Sequence, residues 1–464
     1  MSVSARFPER RAASAPRLAI TQDGAVRAAV VLLLVWYLGP TAPFLPAEAF
    51  VSEDAKHGVF VEQAFLRLSW IPVYGLTFIL ALPHLPKVIR AAARSPFGVL
   101  LVALALVSTA WSTSPADTLR RTVGLAGTTL LGFYLVARFE REELMRLLGW
   151  AFALAAVLSI VFVATRPGVG ISGPPHPGAW RGVFPHKNVL GQTMLMGIVT
   201  ALGLAAVSRR RRWAFVLAGL CGLLLLLSTA KTPIAVAAVL TMLVGVSQLL
   251  RRRPGRAGFL GALVVVLVLC APFFVFVVLE PVLALLGRDL TLTGRTDIWG
   301  LSLAAVAEKP LIGWGYGGFW TAPLGPVLDI RFIIGWDVPN AHNGFLDLLL
   351  AFGVVGLLLF LMLVVRVIRA NVQEIRDTGS WGATWSLASV TLLMIYGFAE
   401  SAIMVQNTFA WVLLIALTAY AGKPRAVARG RAVTVPRFQW AARRPTSFGA
   451  AEARQATFPP RKPG

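Results

Sequence analysis

Residues 338–353, VPNAHNGFLDLLLAFG, set His342 between Asn340 and Asn343 at the mouth of a long apolar run; it is one of five histidines in the chain. A neutral imidazole can take a proton from an attacking hydroxyl or hydrogen-bond a departing phosphate at neutral pH. The plainer alternative is that His342 caps the helix beginning beside it at Asn343. A second group, Arg181, His186 and Lys187, falls within seven residues and closes on HKNVLGQ, where Asn188 can cap the next helix. A guanidinium is a planar, permanently charged fork suited to phosphate, and helix N-terminal amides add donors, so this group could hold a diphosphate. Lys187 could instead be snorkelling at an interface. A third residue, Arg295, opens LTGRTDIWGLSLAAVAEKP, a surface-helix pattern with Thr293 or Thr296 as cap, Asp297 in the first turn and Pro310 just beyond its end. An arginine at a helix start opposes the helix dipole unless an anion bridges it to the free amides. Exposure to solvent without a role is the alternative.

The elements that carry these residues follow from composition. Of 464 residues, 57% are hydrophobic and 14% charged, which predicts a polytopic membrane protein. Stretches of about 20 apolar residues predict twelve helices, starting near residues 26, 64, 97, 121, 147, 188, 213, 232, 258, 343, 383 and 403. The net charge of +23 could suggest nucleic acid, but lysines and arginines gather in alternate short loops, among them positions 87–94, 138–146, 209–212 and 251–256. That pattern is the positive-inside bias of membrane topology, places both termini in the cytoplasm and removes the reason to expect nucleic acid. Residues 1–25 read as a polar cytoplasmic tail rather than a cleaved signal, 26–421 as the membrane domain, and 422–464 as a basic, disordered cytoplasmic tail. Cys221 and Cys270 lie in apolar runs and point to neither a disulfide nor a metal.

The helix interiors are expected to be nearly free of charge, with Arg67, Lys231 and Glu400 the exceptions, all near outer ends. Four histidines, His57, His176, His186 and His342, fall on the outer side, and only His84 falls inside. The largest outer segment, 280–342, lies between the ninth and tenth helices and contains PLIGWGYGGFW, residues 310–320. Its rings could form an interfacial belt or stack on sugar faces while the glycines admit a ligand to the backbone. The outer loops hold no DxD-like pair, although Asp289, Asp297 and Glu400 leave an acidic alternative open.

RGVFPHKNVLGQ (181–192), LTGRTDIWGLSLAAVAEKPLIGWGYGGF (292–319) and NAHNGFLDLLLAFGVVGLLLFL (340–361), in this order, resemble the O-antigen ligase and Wzy polymerase superfamily. HKN at 186–188 is closer to its exopolysaccharide polymerase branch. The resemblance implies an all-α, glycosyltransferase C-like fold in the bacterial inner membrane, with an active site on the periplasmic side. It implies a donor glycan on undecaprenyl diphosphate, a glycan acceptor, inverting transfer, and no metal or other cofactor. Partners on this view extend to chain-length regulator and export proteins. Family arginines that hold the donor diphosphate map onto Arg181 and Arg295, with Lys187 and His186 beside them; the family histidine maps onto His342, which with Arg295 forms the catalytic pair. Arg120 and Arg121, expected in the outer loop between the third and fourth helices, are weaker candidates, as are Asn343 and Glu400. The expected function is a polymerase that joins undecaprenyl-diphosphate-linked repeat units into exopolysaccharide or O-antigen; a ligase that moves lipid-linked glycan to lipid A core or another acceptor is the alternative within this chemistry. A transporter or flippase is disfavoured because the two halves of the chain show no repetition and the spans lack proton-carrying groups.

Overall fold

The computed structural model describes residues 22–45, 64–174, 176–208, 211–231, 233–234, 236–237 and 295–423. Residues 1–21 of the predicted N-terminal tail, the helix expected near 258, nearly all of the one near 232, residues 280–294 of the large loop and the tail from 424 lie outside the described residues.

Apolar runs among the described residues become helices. They are α1 (Gln22–Tyr37), α2 (Ala64–Leu68), α3 (Trp70–Ala81), α4 (Leu85–Ala93), α5 (Pro96–Val107), α6 (Pro115–Arg138), α7 (Arg141–Thr165), α8 (Pro167–Gly170), α9 (Lys187–Val207) and α10 (Arg211–Leu227). After the gap come α11 (Arg295–Glu308), α12 (Gly318–Thr321), α13 (Pro326–Ile334), α14 (Gly344–Thr378), α15 (Trp381–Ala399) and α16 (Phe409–Ala421). Among the described residues no strand forms beyond an isolated bridge between Ile171 and Trp180. Among the described residues, five helical stretches are long and apolar enough to cross a bilayer: Leu66–Ala93, α7, α9, α14 and α15; Pro96–Ala110 and α16 are shorter apolar helices. The molecule is therefore a mostly helical, multi-pass membrane protein.

Two sequence expectations are corrected. Arg120 and Arg121 are not in a loop: Pro115 starts α6 six residues ahead of the apolar run, because a proline costs nothing at a helix's first position. The last helix starts at Phe409, not near 403, since Thr408 caps it by accepting from the Trp411 amide at 3.4 Å, and residues 400–408 are irregular.

Large rings fill the core, with Tyr134, Phe152, Phe352, Phe360 and Trp411 fully buried. Where helices touch, small residues permit it: a Cβ on Gly132 of α6 would lie 2.7 Å from the Ile415 side chain of α16.

One break in a membrane helix shapes the site. At Gly353 of α14 the backbone has φ +61°, which interrupts the hydrogen-bond ladder. The segment after α11 replaces the lost partners. The Val354 and Val355 amides donate to the Pro310 and Leu311 carbonyls at 2.8 and 3.2 Å, while Trp314 and Gly315 donate to the Leu350 and Ala351 carbonyls at 2.8 and 3.0 Å. Irregular backbone is tolerable at membrane depth when protein satisfies it, as here. Gly313, at φ +63°, sits so close that an added Cβ would be 2.6 Å from the Ala351 backbone.

That seam also settles the two readings of PLIGWGYGGFW. Trp314, Tyr316, Phe319 and Trp320 are all buried, so this stretch is neither a belt nor a ring platform open to a sugar. Trp314 donates to the Ala305 carbonyl at 3.0 Å, and Tyr316 stacks on Phe352 and donates to the Met404 carbonyl at 2.8 Å. The stretch is a clamp joining α11, α14 and residues 400–408.

Candidate functional site

Three chain segments meet around Glu400. Glu400 follows the last residue of α15, Arg295 is the first residue of α11, and His342 lies two residues before α14. Arg295 donates to the Ala399 carbonyl at 2.6 Å and to Glu400 Oε1 at 3.2 Å. Its charge thus faces the carbonyl end of α15, where the dipole favours a cation. The anion that the sequence demanded beside Arg295 is supplied, at least on this face, by the protein's own carboxylate. His342 Nδ1 lies 3.5 Å from Glu400 Oε2, too far for a hydrogen bond in this arrangement, and is buried without another partner among the described residues. Burial works against the charge on Glu400, but the His342 contact and the Arg295 charge outweigh it, so its carboxyl is held below the ordinary value and ionised at neutral pH.

The backbone at His342 is unusual: φ is +50°, a left-handed conformation rare outside glycine. The surrounding polar groups fix it. Asn340 Oδ1 accepts from the His342 amide at 3.0 Å, and Asn343 accepts from the Phe345 and Leu346 amides at 3.1 and 3.2 Å. The cap of α14 is therefore Asn343, which leaves the His342 imidazole available for something other than capping. Trp299 Nε1 donates to the Ala341 carbonyl at 2.8 Å, and the Trp336 ring lies 6.5 Å from that of His342.

Beneath this cluster sits Asp347, which the sequence reading missed while naming Arg67, Lys231 and Glu400 as the charged exceptions. Its Oδ1 accepts from Trp320 Nε1 at 2.8 Å and from the Ala341 amide at 3.0 Å, and its Oδ2 is close to the Ser401 hydroxyl. That hydroxyl also lies 3.0 Å from Asn340 Oδ1, with one proton to share between the two acceptors. Asp347 thereby ties the residue before His342, the residue after Glu400 and the buried clamp to one point. The available signal was a carboxylate four residues into an apolar run, NGFLDLLL, in the first turn where a helix favours negative charge.

The other sequence-predicted residues are placed differently. Arg181 is 4% exposed, and the hydrogen bonds described for it stay in its own loop: its amide donates to the Gly170 carbonyl at 2.9 Å and Nη2 to the Ile171 carbonyl at 3.4 Å. Burial lowers its pKa from the usual guanidinium value, yet an arginine remains charged. His186, rather than Asn188, caps α9, its Nδ1 accepting from the Asn188 amide at 3.2 Å; Lys187, half-buried, is the first helical residue. Arg120 turns outward to Asp117 at 2.8 Å, a pair in which Arg120 is exposed and Asp117 half-buried. Arg121 packs instead under the clamp, where a Cβ on Gly317 would lie 2.5 Å from its Cδ; it forms no ion pair among the described residues.

An imidazole within 3.5 Å of a carboxylate that also pairs with an arginine can remove a proton from a hydroxyl, and the arginine can stabilise negative charge on a departing oxygen. Residues 213–361, which contain Arg295 and His342 but neither Arg181 nor Glu400, match the family model described as O-Antigen ligase. The Exopolysaccharide production protein ExoQ of Rhizobium meliloti (strain 1021) is 25% identical over 356 residues, covering 74% of this chain and 80% of that protein.

Proposed function

Proceeding from the O-antigen ligase and Wzy-like superfamily as the group both comparisons support for this chain, we propose that it is a polymerase of lipid-linked oligosaccharide repeat units. The growing glycan, carried on undecaprenyl diphosphate, is transferred to a hydroxyl of a newly delivered unit at the periplasmic face of the inner membrane. His342 takes the hydroxyl proton through its Nε2, because Nδ1 faces Glu400. The acceptor oxygen bonds to the anomeric carbon as the carbon–oxygen bond to diphosphate breaks, and the electron pair leaves with the diphosphate. Arg295 carries that charge without a metal.

The observation that carries the reading is the bridging of Arg295 and His342 by Glu400. A hydrogen bond to a charged group contributes about 1.5–3 kcal/mol, so the Arg295 guanidinium can supply part of the leaving-group stabilisation. The exposed apolar residues of α13, Leu328, Phe332 and Ile333, precede Trp336, whose ring lies 6.5 Å from that of His342, and would sit against lipid where a polyprenyl donor must arrive.

The description of the matched family as O-Antigen ligase favours a second reading, transfer of finished glycan to lipid A core or another acceptor; the relative's name favours the first. Deletion in the native host separates them: loss of a polymerase leaves single repeats, and loss of a ligase leaves lipid-linked polymer. Arg295→Ala or His342→Ala expressed at the normal level should reproduce the deletion, and normal chain lengths from both would refute the assignment.

A further inference from the structure

Far from His342, α14 and α5 enclose a groove of about 480 Å³. Its wall is Phe97 of α5 with Leu358, Leu361, Met362 and Val365 of α14, and one end is closed by Arg366 and Arg369. The four α14 apolar side chains are 40–53% exposed, so the groove is open along its length. Beyond the break at Gly353, thirteen residues of helix lead to Arg366, roughly 20 Å at 1.5 Å per residue. The arginines therefore lie along α14 well away from its His342 end, and the exposed apolar wall before them belongs to a helix long and apolar enough to cross a bilayer.

Among the described residues, no carboxylate pairs with the charge at this end. Arg366 donates to the Arg94 carbonyl at 3.2 Å, which brings the end of α4 alongside, and Arg90 lies one turn earlier. None of Arg90, Arg94, Arg366 and Arg369 forms an ion pair among the described residues, whereas Arg138, Arg141 and Lys423, at other helix ends, pair with Asp23, Glu374 and Glu140. Topology alone explains arginines in a loop; it does not require two of them, three residues apart on one helix face, to close an apolar groove. A ligand that fits needs an anionic head able to accept from two guanidinium forks and a tail long enough to cover the wall.

We propose that this groove is a binding site for an anionic glycerophospholipid, with acyl chain along Leu358, Leu361, Met362 and Val365 and phosphate on Arg366 and Arg369. A second copy of the chain is the weaker occupant, because it would have to bring carboxylates to a membrane face that carries uncompensated cations here. The site does not depend on the transfer chemistry proposed above.

The test uses the full chain, delipidated in detergent and titrated with dioleoyl phosphatidylglycerol or dioleoyl phosphatidylcholine, with lipid adducts counted by native mass spectrometry. The expected result is preferential retention of phosphatidylglycerol, reduced about tenfold or more in Arg366→Gln/Arg369→Gln, as for loss of two interfacial cations. Equal retention of both lipids by the native chain, or unchanged preference in the double variant, overturns the proposal. If the double variant does not fold, a photoactivatable phosphatidylglycerol on the native chain decides: crosslinks on 358–369 support the site, and crosslinks confined elsewhere overturn it. A salt-resistant dimer with no lipid adduct would assign the groove to a second copy and also overturn it.

Discussion

At its N-terminal end, α14 is surrounded by polar groups that satisfy one another: Asp347 holds Trp320 and Ala341, Glu400 holds Arg295, and Asn340 holds a strained His342 backbone. On the groove side of its C-terminal half, Arg366 and Arg369 stand without a carboxylate among the described residues. The same helix thus carries one end whose geometry is over-determined and one whose charge is uncompensated. Preorganised donors and acceptors suit chemistry, which requires a fixed position for developing charge. Uncompensated cations beside an apolar wall suit a mobile amphiphile, which requires charge and length but little exact placement.

Substitutions should expose this contrast. The largest effect is expected from His342→Ala, about 10²–10⁴-fold in transfer rate as for loss of a general base, and Arg295→Ala should be of similar severity. Both are read as glycan chain length and transfer rate at matched protein levels. Glu400→Gln keeps the shape and removes the charge, so a loss of about 10–100-fold is expected, equal to the 1.5–3 kcal/mol of a hydrogen bond to a charged group. Rates equal to the native chain would show that Glu400 is structural only.

Stability should respond differently. Gly353→Ala forces a side chain into a left-handed backbone against the Leu311 carbonyl, and should cost about 1–3 kcal/mol in unfolding free energy. A neutral result would mean that the seam at 310–315 yields. The pH dependence has a definite sign. Because the Glu400 carboxyl is lowered in the folded chain from 4.5, its contribution is present above that value and is lost only as pH falls through the lowered one. The difference in thermal midpoint between the native chain and Glu400→Gln should therefore be flat at neutral pH and shrink only below the ordinary carboxylate value. Least of all, Arg120→Ala should change transfer by no more than about twofold, since its exposed pair with Asp117 contributes little.

How much of this was legible in the sequence depended on the kind of signal. His342 and Arg295 were visible because a charged or titratable residue beside an apolar run is expensive and rarely idle. Their partner Glu400 was visible only as a weak candidate, since 58 residues separate it from His342 and no periodicity links them. Asp347 was hidden inside an apolar run whose average hydropathy swamps one carboxylate. The break at Gly353 was hidden because glycine is common in membrane helices, and only the amides of 314 and 315 reveal why it is needed. The clamp residues were misread for a related reason: alternating glycines and rings look like a surface pattern until the helix that buries them is known. Arg120 and Arg121 were assigned to a loop because the apolar run marks where a helix becomes hydrophobic, not where Pro115 starts it.

The most direct test of the central claim is a double-mutant cycle between Glu400 and His342, with purified protein and its lipid-linked substrate. If Glu400 acts by orienting His342 and holding Arg295 beside it, Glu400→Gln should slow the native chain about 10–100-fold and add little once His342 is alanine. Full additivity of the two substitutions would contradict the account.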